Sequence, residues 1–274
     1  MSCLACKLTT NYEPMKTKLK VIISAISLII TLQAPAQDTL NYKTGFPSGI
    51  SAGCGLGLYS VKDEYISKEK YSGTLPYLNL EWLRFHNKNA YRLEVEYQNS
   101  TNISNNIIKA EVMQFVFNQD FIYPVGSFPL FSRSVYAYLG PSAQFFFYDI
   151  DYNFAQPGTF ISPNTFGIIG SLGINCAFIY PVYKKLLIEG FLRSNVLSLS
   201  GKKLDEYKYA DESSPSFLSV FTATKIDCNL DIRYYLANRV SASVRYKFDL
   251  SRIDKWDPYI AASNSLIISV NFKF

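Results

Sequence analysis

The feature that most constrains the fold of this 274-residue chain is a strict two-residue alternation of apolar and polar side chains, repeated from segment to segment. The last nine residues, Leu266-Ile-Ile-Ser-Val-Asn-Phe-Lys-Phe274, show it clearly. Neighbouring side chains of a strand point to opposite faces, so Leu266, Ile268, Val270, Phe272 and Phe274 line one face while Ser265, Ser269, Asn271 and Lys273 line the other. Tyr91 to Gln98, Thr224 to Tyr234 and Val240 to Leu250 repeat the scheme. Ten segments read as strands: about 48 to 61, 73 to 85, 90 to 100, 107 to 121, 133 to 150, 164 to 180, 184 to 198, 217 to 236, 239 to 251 and 262 to 274. No helical periodicity of any length interrupts them.

The connections fall into two alternating kinds. His86 to Asn89, Pro181 to Tyr183, Ala237-Asn238 and Tyr123 to Arg133 are the shorter set; Lys62 to Ser72, Ser100 to Asn106, Asp151 to Asn164, Leu199 to Ser216 and Arg252 to Ala261 are long and polar. Short turns at one end, long loops at the other and an even strand number describe an all-β, transmembrane, antiparallel up-and-down barrel. Ten strands are expected, with eight and twelve as the neighbouring even counts. A water-soluble barrel or sandwich would put the apolar face inside. Its solvated outer face would be rich in Lys and Glu, whereas the polar faces here hold Ser51, Gly53, Gly55 and Gly57, then Ser142 and Gln144, then Ser171, Gly173 and Asn175. Small neutral side chains suit a crowded lumen.

From Met15 the chain reads Met-Lys-Thr-Lys-Leu-Lys, an apolar run from Val21 to Leu32, and Gln33-Ala-Pro-Ala36. This is a secretory leader with cleavage expected after Ala36. Residues 1–36 are therefore read as an N-terminal extension plus signal peptide, 37–46 as a short periplasmic segment and 47–274 as the barrel. The formal charge of +5 falls to +2 without residues 1–36, too small for a nucleic-acid footprint. A charged fraction of 18%, against about 25% in ordinary soluble domains, suits an outer surface that meets lipid. Cys54, Cys176 and Cys228 each fall on the apolar face of a strand and read as small apolar fillers. Cys3 and Cys6 precede the leader and are discounted as a motif.

With the polar faces turned inward, the lumen is expected to carry Arg92, Lys109, Arg193, Lys225, Arg233, Arg245, Lys247 and Lys273 against Glu81, Glu94, Glu96, Glu111, Glu189, Asp227, Asp231 and Asp249. The two sets are equal in number, which argues against a pore selective for one sign of ion. Buried charges must pair, so a plug of matched ion pairs is expected. The fourth strand conflicts with this phase: Met113, Phe115 and Phe117 share a face with Lys109 and Glu111. Either those rings plug one end of the lumen or a bulge shifts the register there.

A catalytic constellation is missing from the pattern. The single histidine, His86, falls in a short turn, where a barrel hydrolase with a His base at its outer rim would not have it. The loop acids Asp149, Asp151, Asp205, Glu206, Asp211, Glu212, Asp254 and Asp257 read as solvated charge rather than as Ca²⁺ ligands. No phosphate-cradling loop or metal-spaced Cys/His cluster occurs, so no catalytic residue, cofactor or metal is expected.

Cleavage before Gln37, the segment Leu139-Gly-Pro-Ser-Ala-Gln-Phe145, the alternating strands and the ending Val270-Asn-Phe-Lys-Phe274 resemble the outer-membrane β-barrel domain proteins of Bacteroidetes, the group that includes PorT-like proteins. The resemblance covers the mature chain and implies a location in the bacterial outer membrane. It further implies that Val270, Phe272 and Phe274 form an assembly signal read by the barrel-assembly machinery. Outer-membrane lipid and lipopolysaccharide are the expected partners, with any surface ligand undefined. The leading expectation is a non-enzymatic barrel with a side-chain-filled lumen and loops for surface contact. A narrow channel or secretion component, and a barrel enzyme acting on lipid or peptide, are the alternatives.

Overall fold

The computed structural model describes residues 48–65, 67–86, 89–105, 108–131, 133–153, 164–202 and 215–274. The leader with its cleavage after Ala36 and the 37–46 segment lie outside these residues. So do the loop acids Asp205, Glu206, Asp211 and Glu212. Eleven strands follow one another: β1 (Gly49–Asp63), β2 (Ser67–His86), β3 (Asn89–Ser104), β4 (Lys109–Leu130), β5 (Arg133–Asn153), β6 (Asn164–Tyr183), β7 (Leu186–Lys202), β8 (Ser216–Ser219), β9 (Ala223–Ala237), β10 (Val240–Ile253) and β11 (Tyr259–Lys273). Each pairs antiparallel with its neighbour, and β1 pairs with β11 from Gly49↔Lys273 to Asp63↔Tyr259, which closes the sheet into a ten-stranded barrel. The eighth of the ten expected strands is split. The expected 217–236 segment is β8, paired only with the top of β7, and β9, which pairs with the rest of β7 and with β10.

Several expected loops are strand. β1 and β2 continue to Asp63 and from Ser67, so most of 62–72 is a ladder. At the opposite end β4 and β5 continue through 123–130, where a bulge between Pro124 and Gly126 interrupts the register. Glycines on the lumen face let the wall curve sharply: an added Cβ at Gly55 would collide with the Leu266 carbonyl, and at Gly173 with that of Ser194.

The polarity of the wall is the reverse of a soluble core. Outward-facing Leu56, Leu58 and Ile268 are 61%, 68% and 62% exposed, while Glu94, Arg193 and Lys247 are fully buried. The outward belt is free of charge over Ala137 to Phe147 on β5 and over Val240 to Leu250 on β10, eleven residues each. A strand that crosses the bilayer needs about 9–11 residues. At the short-turn edge of the belt Trp82 packs on Tyr91 at 5.8 Å and Tyr91 on Phe121 at 5.0 Å, an interfacial aromatic cluster. Cys54, Cys176 and Cys228 sit exposed on the belt, as small members of an apolar face.

Toward the loop end the pattern inverts. Inward positions become Tyr59, Val61, Val112, Tyr148, Ile150 and Ile253, and outward positions become Lys62, Glu111, Asp149 and Arg252. Above the belt the barrel therefore continues as a water-facing structure with an apolar core. Tyr259 lies inside that core, stacked on Tyr148 at 4.0 Å, and Trp256 packs against it.

Candidate functional site

The bore is filled in three layers. At the short-turn end Leu83, Ile122, Ile179, Leu187, Phe191 and Tyr235 form an apolar cap. At the loop end the tyrosine-rich core forms another, with Tyr71 against Tyr152 at 5.0 Å. Between them the inward faces of β2, β3, β4, β7, β9 and β10 bring together a network of charges.

Glu94 on β3 is its hub. Its Oε1 accepts hydrogen bonds from Arg92 at 3.0 Å and Arg245 at 2.8 Å, and its Oε2 accepts one from Arg193 at 2.8 Å. Arg193 reaches across from β7 and donates through Nε and Nη2 to Asp120 at 2.8–3.0 Å and through Nη1 to Asp227 at 2.7 Å. Paired contacts of this kind use the fixed fork of the guanidinium. Arg245 donates further to Glu81 at 2.9 Å and Asp231 at 3.1 Å. Lys247 bonds Glu96, Asp227 and Asp249, while Lys225 bonds the other Asp249 oxygen at 2.5 Å. Arg233 pairs with Glu189 at 3.0 Å nearer the short-turn mouth. The ring of Phe191 lies under both Arg92 and Arg193, with centroids 4.6 and 4.5 Å away.

Three of the expected lumen charges fall elsewhere. Lys109 and Glu111 are exposed and point outward, because β4 keeps one unbroken phase from Lys109 to Asp120 and emerges from the belt above Met113. Neither offered solution to the β4 conflict holds: Phe115 and Phe117 face outward, and the irregularity between Ser100 and Ile103, opposite Ala110 to Val112, lies on β3 and leaves the phase of β4 unbroken. Lys273 has the inward phase, but it is exposed at the short-turn mouth and is outside the network. Conversely, the inward face of β4 contributes Asp120, a carboxyl outside the expected set. The central network thus holds six cations against eight carboxyls, rather than equal numbers.

A second buried pair lies higher. Lys202 Nζ donates to Asp63 at 2.6 Å and to the Asp257 carbonyl at 2.8 Å, joining β7, β1 and the β10–β11 turn. Lys202 reaches the interior because β7 bulges at Val196: Asn195 pairs with Gly173 and Leu197 with Leu172, so the inward phase passes from Asn195 to Ser198. Outside the belt the exposed Lys62 ammonium, 2.6 Å from Glu64, holds that carboxyl below its usual range.

The network has little chemistry open to it. The carboxylates of Glu94, Glu96 and Asp227 approach within 4.8 Å, a spacing suited to a cation, but Lys247 and Arg193 already supply positive charge there. Two cavities near Glu81 measure about 20 Å³ each, room for roughly one water molecule. His86 lies at the β2–β3 turn, at the end of the barrel opposite the Asp149, Asp151, Asp254 and Asp257 loop acids.

No family model matches the chain, and no curated protein matches it. Among solved structures it is similar to the outer membrane protease OmpT from Escherichia coli, at 8% identity over 83% of this chain and 97% of that one, with a TM-score of 0.45. It is also similar to Neisserial surface protein A, at 12% identity over 84% and 100% with a TM-score of 0.37. The attachment invasion locus protein Ail of Yersinia pestis gives 10% identity over 84% and 100% with a TM-score of 0.33. At this level of likeness the neighbours assign this chain neither an activity nor a partner.

Proposed function

We propose that this chain is an integral barrel of the bacterial outer membrane, non-enzymatic, closed by its own side chains, with its loop end turned to the cell exterior for surface contact. The observation that carries the reading is the inverted polarity of the wall: a charge-free outward belt of bilayer height around a buried ionic network. An exposed apolar band of that extent has no place in water. The terminal strands and short turns share one end, which is the periplasmic end in barrels of this design. Lipopolysaccharide is then the neighbour of the mixed charges at the loop end, and the assembly machinery is the reader of Val270, Phe272 and Phe274. The resemblance to Bacteroidetes barrels, PorT-like proteins among them, fits the same reading; a place in a secretion apparatus would use the barrel as an anchor rather than as a conduit.

The test is topological. In a background with Cys54, Cys176 and Cys228 replaced by Ser, single cysteines at Lys70 and Asp254 react with an impermeant maleimide on intact cells, whereas one at Lys184 reacts only after lysis. Labelling of Lys184 alone on intact cells would reverse the orientation, and equal labelling of all three in the soluble fraction would remove the membrane reading.

A further inference from the structure

The two rims differ in charge. At the short-turn rim every connection carries a cation: Arg84 stands two residues before the turn at His86, Arg133 opens β5, Lys184 and Lys185 make the β6–β7 turn, Arg239 lies in the β9–β10 turn, and Lys273 pairs with Gly49 on the closing strand. Among the described residues no Asp or Glu falls in these turns or within two residues of them. At the loop rim the signs alternate, as in Lys62 with Glu64 and Arg252 with Asp254.

Position decides what a one-sign rim meets. Arg84 is exposed on the outward face, opposite Tyr91 in the ladder and one outward step below Trp82, at the aromatic edge of the apolar belt. Long basic side chains at such an edge place their stems on apolar surface and their charges among headgroups. The cations are spread over all the short connections around the circumference rather than gathered on one side. A docked protein would cover one sector; the molecules that surround a barrel on every side are lipids.

We propose that the short-turn rim is a phosphate-binding collar for anionic glycerophospholipids, holding their headgroups in the leaflet at that end. The proposal rests on the barrel being embedded in lipid. Attraction of this kind accumulates with each Lys or Arg near an anionic surface.

The test uses the detergent-solubilised full barrel, offered equal amounts of phosphatidylglycerol and phosphatidylcholine with identical chains and read by native mass spectrometry. The wild type retains phosphatidylglycerol over phosphatidylcholine by roughly tenfold. Combined Arg84→Gln, Lys184→Gln, Lys185→Gln, Arg239→Gln and Lys273→Gln brings the ratio close to one, while Lys68→Gln, Lys70→Gln and Lys109→Gln at the loop rim leave it unchanged. If the five-site variant does not fold, Lys184→Gln with Lys185→Gln alone lowers the ratio by roughly threefold. Equal retention by the wild type, a preference that survives the collar changes, or one lost with the loop-rim changes would each overturn the collar. Loss of heat-modifiable mobility in the wild type would instead sink the barrel itself, which is a separate result.

Discussion

The lower and upper halves of the same strands solve opposite problems. Along β4, Phe115 and Phe117 face out and Asn118 and Asp120 face in; six residues before Phe117 and Asn118, Glu111 faces out and Val112 faces in. Along β5 the outward residues pass from Phe145 and Phe147 to Asp149 and Asp151, while the inward ones pass from Ser142 and Gln144 to Tyr148, Ile150 and Tyr152. Backbone phase is continuous through both changes; only the solvent outside the wall changes. The lower half hides charge from lipid, and the upper half hides apolar surface from water. Hydrophobic alternation therefore reports the environment of a face, and one strand that passes from lipid to water presents two opposite patterns without slipping register.

The largest effect expected from this contrast lies in the lower half. Arg193→Ala removes the bonds to Glu94, Asp120 and Asp227 at once; Glu94 keeps Arg92 and Arg245 and Asp227 keeps Lys247, while buried Asp120 loses its cation. Breaking a buried pair costs about 3–5 kcal/mol, and with three acids affected the upper figure is expected. It would be read as a fall in the urea midpoint of the heat-modifiable form. An unshifted midpoint would mean that the network does not hold the bore together.

A smaller, paired effect sharpens where the boundary lies. Ile268→Arg puts a charge on the belt and is expected to cost about 2–4 kcal/mol, the penalty for Arg near the midplane of a lipid-facing wall. Glu111→Ala, on the outward face of the upper half, is expected to change stability by less than about 0.5 kcal/mol. Comparable costs at the two positions, measured by the same urea titration in vesicles, would place the boundary elsewhere.

This contrast also explains which parts of the molecule were legible in the sequence. Strand positions and the inward placing of Glu81, Arg92, Glu94, Glu96, Glu189, Arg193, Lys225, Asp227, Asp231, Arg233, Arg245, Lys247 and Asp249 follow from simple alternation within the belt. Lys109 and Glu111 face outward because beyond the belt a polar side chain meets water outside the wall, and that inversion hides the inward phase of Asp120 in the sequence. The Lys202–Asp63 pair depends on the Val196 bulge, which shifts the parity of β7 and whose one mark in the sequence is the apolar pair Val196-Leu197 between Asn195 and Ser198. Ile103 reaches the interior in a similar way, past the irregularity between Ser100 and Ile103. Partner choice within the network was illegible because alternation fixes a face and not a height: Arg193 meets Glu94 across the bore, 99 residues away in sequence.

The central claim is that two apolar caps and the network between them seal the bore, and its most direct measurement is ionic current through the purified barrel in a planar bilayer. The account predicts that the wild type shows no steady conductance steps, and that Arg193→Ala combined with Arg245→Ala, if it still inserts, shows brief and irregular openings. Steady wild-type steps with a strong preference for cations, the sign that eight carboxyls against six cations would favour, would contradict it and make the lumen a transport path.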